Sequence, residues 1–119
     1  MEVRLLGGVD PERLESLYAA ASVVATPTRF EGFGLPVLAA MARGVPVACS
    51  ELPVLREVAG DAAVYFDASD PRSVADAVRT AITEGERLRA AGHERAARFS
   101  WAAAARATAK VYERALKVA

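Results

Sequence analysis

The fold is decided by residues 23–50, which read VVATPTRFEGFGLPVLAAMARGVPVACS. Residues 23–26 are a short apolar run closed by Pro27, as expected of a strand buried on both faces. Residues 31–36 form a glycine-containing loop that leads into a helix over 37–43, with Pro36 near its start and Gly44 at its end. Residues 45–49 are a second buried strand. The stretch therefore predicts strand, loop, helix, strand.

The flanking sequence continues this alternation. Upstream, residues 3–6 resemble a strand, and Asp10 followed by Pro11 predicts an N-cap and the first position of a helix. Downstream, residues 53–58 predict a short helix and 62–66 a fourth strand, after which Asp70 and Pro71 repeat the helix-start pattern. Residues 86–98 and 101–117 predict two more helices, the latter capped by Ser100.

Two of these helices carry apolar stripes that must pack on something. The stripes are Leu14, Leu17, Tyr18 and Ala21 in the first helix and Val74, Val78, Ala81 and Ile82 in the helix after Asp70.

Strands that alternate with helices indicate an α/β fold: a partial Rossmann-like parallel sheet of about four strands with flanking helices. The ligand site of such a sheet lies at the carboxyl ends of its strands. No repeat or linker divides the chain, so residues 1–119 are interpreted as a single domain.

The composition excludes several classes of partner. Fifteen basic and fifteen acidic residues cancel, so no overall field attracts nucleic acid or an anionic membrane. The apolar runs are far shorter than the roughly 20 residues of a membrane-spanning helix. Without a recognisable leader peptide, the expected location is cytoplasmic. The single cysteine, Cys49, is expected to be a buried core residue.

The loop at 31–36 is the strongest candidate site. Small residues at the start of a helix leave main-chain N–H groups unpaired, so those of Phe33, Gly34 and Leu35 could bind a phosphate. Gly32 and Gly34 would allow a bulky ligand to approach the main chain. Glu31 would repel phosphate and is better suited to accept hydrogen bonds from ligand hydroxyls. A sugar carried on a phosphate satisfies both requirements, although a plain strand-to-helix turn also fits the pattern.

Residues 27–47 closely resemble the donor-site signature of family-4 retaining glycosyltransferases, which have the GT-B fold. Residues 57–63 and the Phe-Ser-Trp sequence at 99–101 support the resemblance. It implies the carboxy-terminal donor-binding domain of an enzyme that transfers a sugar from a nucleotide sugar to an acceptor, without a metal or another cofactor. The resemblance further implies that Glu31 faces the donor sugar, that the N–H groups of residues 33–35 hold the distal phosphate, and that Gly8 and Val9 border the nucleobase.

The chain departs from the family pattern in two ways. Ala39 stands where the second glutamate of an E-x7-E pair normally contacts the ribose, so one hydrogen-bond acceptor is missing. The family's first two βα units and its acceptor domain also have no counterpart, so we expect a truncated donor domain that is inactive alone and has no catalytic residue of its own. The alternative is a non-catalytic structural half-domain, and exposed sheet edges left by the missing strands favour a homodimer.

Five other residues have simple structural interpretations. Asp67 and Asp70 could suggest a metal site, but Asp70 is explained as a helix cap. His93 is expected in solvent and Trp101 as an anchor for the last helix. Arg29 is more simply a surface residue than a phosphate ligand.

Overall fold

The computed structural model describes residues 1–118, with a three-stranded parallel sheet at the centre. The strands are β1 (Val24–Thr26), β2 (Val47–Ser50) and β3 (Val64–Phe66), in the order β1-β2-β3. The helices are α1 (Pro11–Ala20), α2 (Leu35–Ala42), α3 (Pro53–Ala59), α4 (Pro71–Thr83), α5 (Gly85–Ala96) and α6 (Trp101–Val118). The predicted α/β fold with a parallel sheet is confirmed.

The core lies on both faces of β2, which is buried along its whole length. Because successive side chains of a strand point to opposite faces, Val47 and Cys49 pack with α2 and α3, whereas Ala48 packs with Phe66 and α4. Helix α5 also contributes to the core: Leu88 is buried, and Gly92 lies close against Met41 of α2. Helix α5 therefore has one face in the core and the other in solvent.

The prediction of a strand at residues 3–6 is wrong. This segment has no strand partner and is exposed, with Leu5 96% accessible. A strand is stabilised by the ladder that satisfies its N–H and C=O groups, and β1 pairs only with β2 among the described residues. The sheet therefore has three strands rather than about four, and residues 3–6 do not pair with the free edge of β1.

All three strands are shorter than predicted, and β2 and β3 begin late for local reasons. β2 begins at Val47 because Pro46 has no N–H to donate to a ladder. Upstream, the Val45 N–H donates instead to the Ala40 carbonyl at 3.0 Å. β3 begins at Val64 because residues Gly60–Ala62 form a 3-10 turn that follows α3.

The predicted helix caps at the amino ends are confirmed. The Asp10 carboxylate accepts from the Arg13 N–H at 2.7 Å, and that of Asp70 accepts from the Arg72 N–H at 2.9 Å. Ser100 Oγ accepts from the Ala103 N–H at 3.0 Å at the start of α6. Gly44, just after α2, has a φ of 70°, which suits glycine.

The apolar stripe of α1 is only partly used. Tyr18 and Ala21 pack against the core, whereas Leu14 and Leu17 remain exposed and no residue of α1 is buried. Glu15 and Arg43 form an ion pair, with Arg43 Nε 2.8 Å from Glu15 Oε2, and the Arg43 guanidinium lies 4.9 Å from the Tyr18 ring centre. These contacts tie α1 to the end of α2.

The stripe of α4 is likewise incomplete. Ala81 is buried and Val74 and Val78 pack against the core, but Ile82 is exposed. Ala77, which the predicted stripe omitted, is buried instead.

Cys49 is fully buried, as predicted. Burial, with a smaller contribution from the Glu51 carboxylate, raises the pKa of its thiol to about 12. Such a thiol stays protonated near neutral pH, so Cys49 acts as a small core residue. None of the described helices combines the length and apolar character needed to cross a bilayer.

Candidate functional site

The candidate site is the turn between β1 and α2, and its conformation depends on Gly34. This residue has a φ of 95° and a ψ of 42°, in the left-handed region, and it is the cap residue at the start of α2. A Cβ atom added at Gly34 would lie 2.5 Å from Leu55 Cδ2. Because Leu55 is fully buried, its side chain has no room to move away. Backbone conformation and packing therefore both require glycine here.

The loop is supported on a second side by an aromatic contact. The rings of Phe33 and Phe99 meet edge to face, with centres 5.9 Å apart and planes at 86°. Phe99 immediately precedes the Ser100 cap of α6. Leu55 below and Phe99 beside the loop thus fix the direction of its main chain.

The main-chain donors predicted for the loop are free. Within residues 1–118, the N–H groups of Phe33, Gly34 and Leu35 donate no hydrogen bond, and no side chain caps α2. The dipole of α2 adds partial positive charge at the same point. Gly32 has open space where a Cβ would lie, so a ligand can approach the loop from that side. Unpaired main-chain donors at the start of a helix are the arrangement with which proteins bind anions.

Glu31 precedes this turn in sequence, and Ala39 follows it within α2. Glu31 is half-buried, and its Cγ is 3.9 Å from the Cβ position of Gly34, so the side chain lies beside the turn. Ala39 is half-buried in α2, on the face that it shares with Leu35 one turn earlier. The carbonyl of Ala39 accepts from Arg43 Nη1 at 2.9 Å.

Arg29 belongs to a different cavity. A cleft of about 420 Å³ opens at the carboxyl ends of all three strands, the predicted position for a ligand site, and lies within the roughly 300–1,000 Å³ of ligand pockets. It is lined by Thr28, Arg29, Ser50, Glu51, Leu52, Phe66, Asp67, Ala68 and Ser69. Exposed Arg29 forms no ion pair with another described residue. Arg29 is thus a surface residue, as predicted, and its alternative role as a phosphate ligand is untested.

The remaining candidates lie away from the loop or have local partners. Gly8 and Val9 are in the exposed segment before α1. They do not line the apolar groove beside the loop, which has Phe33 and Leu35 on one side and Phe99 and Trp101 on the other. Asp67 accepts from the N–H and Oγ of Ser69 at 2.9 and 2.7 Å, in a short turn. Exposed His93 is as predicted, although its ring covers Gly44. The prediction of Trp101 as an anchor is wrong, because its side chain is 89% exposed.

Sequence reasoning missed both supports of the loop. Leu55 lies 21 positions beyond Gly34 and Phe99 lies 66 positions beyond Phe33, so no local sequence pattern predicts either contact. The Phe-Ser-Trp sequence at 99–101 was the only sequence feature that pointed to one of them. The residue of this sequence that supports the loop is the phenylalanine rather than the tryptophan.

Comparison of structures identifies the class of protein. The fold matches sucrose-phosphate synthase from Thermosynechococcus elongatus with a TM-score of 0.80 and 28% identity, over 96% of this chain and 30% of that one. It also matches the catalytic domain of starch synthase IV from Arabidopsis thaliana with a TM-score of 0.77 and 20% identity, over 96% of this chain and 26% of that one. The second likeness concerns the fold alone. This is an α/β domain of the GT-B glycosyltransferase type.

Sequence comparison then gives the family. The family model "Glycosyl transferases group 1" matches residues 1–99, and the chain belongs to this family. O-antigen chain mannosyltransferase B of Escherichia coli is 41% identical over 102 residues, which is 83% of this chain and 27% of that protein. D-inositol 3-phosphate glycosyltransferase of Corynebacterium kroppenstedtii is 36% identical over 121 residues, which is 97% of this chain and 27% of that protein. The chain thus spans about a quarter of the length of these relatives.

Because of the packing at Gly34, replacement of the two loop glycines by alanine should affect stability differently. Gly34→Ala should lower the free energy of unfolding by about 2 to 3 kcal/mol, because it adds left-handed strain and a clash with Leu55. Gly32→Ala, which meets open space, should change it by less than about 0.5 kcal/mol. Urea denaturation of the two variants measures both values. Equal effects would contradict the described role of Gly34.

Proposed function

We propose that this chain is the donor-binding portion of a family-4 retaining glycosyltransferase and is a truncated domain rather than the whole enzyme. The observation that carries the proposal is the turn at Gly34, with three free N–H groups at the start of α2. Membership of the glycosyltransferase family supplies the reaction class, the transfer of a sugar from a nucleotide sugar to an acceptor.

Different residues of the loop bind different parts of the donor. The N–H groups of Phe33, Gly34 and Leu35 hold the distal phosphate, with the α2 dipole stabilising its charge. Gly32 lets the diphosphate approach the main chain, and Glu31 accepts hydrogen bonds from hydroxyls of the sugar. We propose no metal for this site: the main-chain donors and the partial positive charge of the α2 dipole stabilise the phosphate directly.

The donor site of this chain is incomplete on two sides. Ala39 supplies no acceptor for the ribose, and Gly8 and Val9, proposed to border the nucleobase, lie in a segment with no strand beneath it. In a GT-B enzyme the reacting centre forms between two domains, and this chain folds as part of one. The isolated chain therefore binds donor weakly and does not turn it over.

Free main-chain donors predict weak nucleotide binding. Uridine, guanosine or adenosine diphosphate should bind with a dissociation constant on the order of millimolar, which corresponds to about 4 kcal/mol. Chemical-shift mapping at high nucleotide concentration should move the amide signals of residues 31–37 and leave those of α4 unchanged. Unmoved signals at residues 31–37 would contradict the proposed phosphate site.

Restoring the missing acceptor gives a second prediction. Ala39→Glu should strengthen nucleotide binding by no more than about tenfold, because one hydroxyl contact to a carboxylate is worth roughly 1.5 kcal/mol. Calorimetry on the two proteins measures the gain. Ala42→Glu is the matched control, since it adds the same charge at an exposed position of α2 and should give no gain. Equal affinity of the Ala39→Glu variant and the unchanged chain, with an intact fold, would mean that position 39 does not face the ribose.

A second function, a dimerising half-domain, is favoured by the free edge of β1. Among the described strands β1 pairs on one side only, and Val3 and Leu5, in the segment before α1, are apolar and exposed. Unpaired N–H and C=O groups beside apolar surface attract a second strand edge. We propose that two copies associate through this edge and the segment before α1.

The homodimer is tested by sedimentation equilibrium over a wide concentration range. A mass of two chains is expected, and Leu5→Lys should raise the dissociation constant of the dimer by at least about tenfold. Leu116→Ser, which alters an exposed leucine in α6, is the control and should have no effect. A monomer at the highest concentrations would contradict the homodimer without affecting the proposal for the nucleotide site.

A further inference from the structure

The strand-end cleft, the cavity of about 420 Å³ at the carboxyl ends of β1, β2 and β3, takes no part in the proposed phosphate site. Its lining comes from residues 28–29, 50–52 and 66–69, one segment at the end of each strand. None of these residues belongs to the segment before α1 or to α6, so the cavity is a property of the sheet itself. Small-molecule sites of α/β proteins lie at this position.

Hydrogen bonds between neighbouring strands hold the base of the cleft in place. Ser50 Oγ is buried and donates to the Thr26 carbonyl at 3.3 Å, which ties the ends of β1 and β2 together. The Glu51 N–H donates to the Phe66 carbonyl at 2.8 Å, which ties the end of β2 to that of β3. The cleft is therefore preformed, and a ligand does not have to order its base on binding.

Two carboxylates at the cleft are fixed in orientation by neighbouring groups. Both oxygens of Glu51 accept from the Arg56 guanidinium at 2.6 Å, and that guanidinium lies 3.9 Å from the Tyr65 ring centre. Asp67 Oδ1 accepts from the hydroxyl and the N–H of Ser69, and these hydrogen bonds lower the pKa of the Asp67 carboxyl. Asp67 Oδ2 has no hydrogen-bond partner within residues 1–118. Each carboxylate thus keeps lone pairs that can accept from a ligand hydroxyl.

The wall on the β1 side carries polar groups without partners. Arg29 is exposed and forms no ion pair with another described residue. Thr28 Oγ1 is buried, and no described residue forms a hydrogen bond with it, although buried hydroxyls are normally paired. Because β2 lies between β1 and β3, this wall and the one with Asp67 are two strand spacings apart, roughly 10 Å. A single ligand ring can therefore contact both walls.

The charges of the cleft select a neutral ligand. The Glu51 carboxylate is balanced by Arg56, and the charges of Arg29 and Asp67 oppose each other across the cleft, so neither an anion nor a cation gains a net attraction. Residues 1–118 contain no group of three metal-ligating side chains that could hold a metal ion. A cavity of this volume encloses a small molecule, whereas a protein partner needs roughly 800 Å² of surface on each side.

We propose that the strand-end cleft is a binding site for a neutral sugar. The hydroxyls of one sugar ring both donate and accept, so they donate to Asp67 Oδ2 and Glu51 on one side and accept from Arg29 on the other. Apolar Leu52 and Ala68, which also line the cleft, contact the C–H groups of the ring. This site is separate from the loop at Gly34 and does not rest on the proposed nucleotide site.

Nuclear magnetic resonance titration of the isotope-labelled chain tests the site. D-glucose, D-mannose and D-galactose, which differ in the orientation of single hydroxyls, are added separately. At least one should bind with a dissociation constant on the order of millimolar. Binding should move the amide signals of residues 50–52 and 67–69 and leave those of residues 31–37 unchanged. Glycerol at the same hydroxyl concentration is the control and should move none of these signals.

Variants on the two walls test the roles of the charged groups. Asp67→Asn keeps an oxygen for Ser69 but replaces the free acceptor by a donor, so it should weaken sugar binding by at least about tenfold. Arg29→Met, which breaks no contact with a described residue, should weaken it by about fivefold. Asp76→Asn makes the same change of charge in α4, away from the cleft, and should bind as the unchanged chain does. The amide spectrum of each variant shows whether the fold is retained.

Three outcomes would overturn the proposal. They are unmoved signals at residues 50–52 and 67–69 with all three sugars, equal affinity of Arg29→Met and Asp76→Asn, and tighter binding of inorganic phosphate than of any sugar at the same signals. The last outcome would assign the cleft to an anion. Nucleotide-induced shifts at residues 31–37 are measured without sugar, so failure here is distinguishable from failure of the proposed function.

Discussion

The conformation of the loop at the start of α2 depends above all on one contact, that of Gly34 with the buried Leu55 side chain beneath it. The left-handed conformation of Gly34 turns the chain from the end of β1 into α2, and the 2.5 Å approach that a Cβ would make leaves only glycine acceptable. Leu55 in turn is held by the core around β2. The geometry of the loop is thus a consequence of core packing, because no side-chain hydrogen bond caps α2.

Features encoded within a few residues could be predicted from the sequence. The caps at Asp10, Asp70 and Ser100, the glycine after α2, and the buried central strand all depend on local chemistry, and each is confirmed. Residues 3–6 show the limit of this approach. Their apolar pattern suits a strand, but a strand also needs a neighbour, and the pattern within one segment does not reveal whether the neighbour exists.

The candidate site was predictable to a similar degree. The glycines and Glu31 allowed the loop to be predicted as a candidate site, because their chemical properties follow from residue type alone. The contacts of Leu55 and Phe99 with the loop arise from tertiary packing and could not be predicted in this way. Trp101 was misjudged because a large aromatic residue after a helix cap usually finds a core to enter, and here it lies on the exposed face of α6.

The central claim is that a preformed main-chain turn holds the phosphate of a nucleotide donor. It is tested most directly by a crystal structure of the chain soaked with uridine diphosphate at high concentration. The account predicts distal phosphate oxygens within about 2.7–3.2 Å of the N–H groups of Phe33, Gly34 and Leu35, with the turn unchanged. A diphosphate bound elsewhere, for example in the strand-end cleft beside Arg29, with the loop empty, would contradict it.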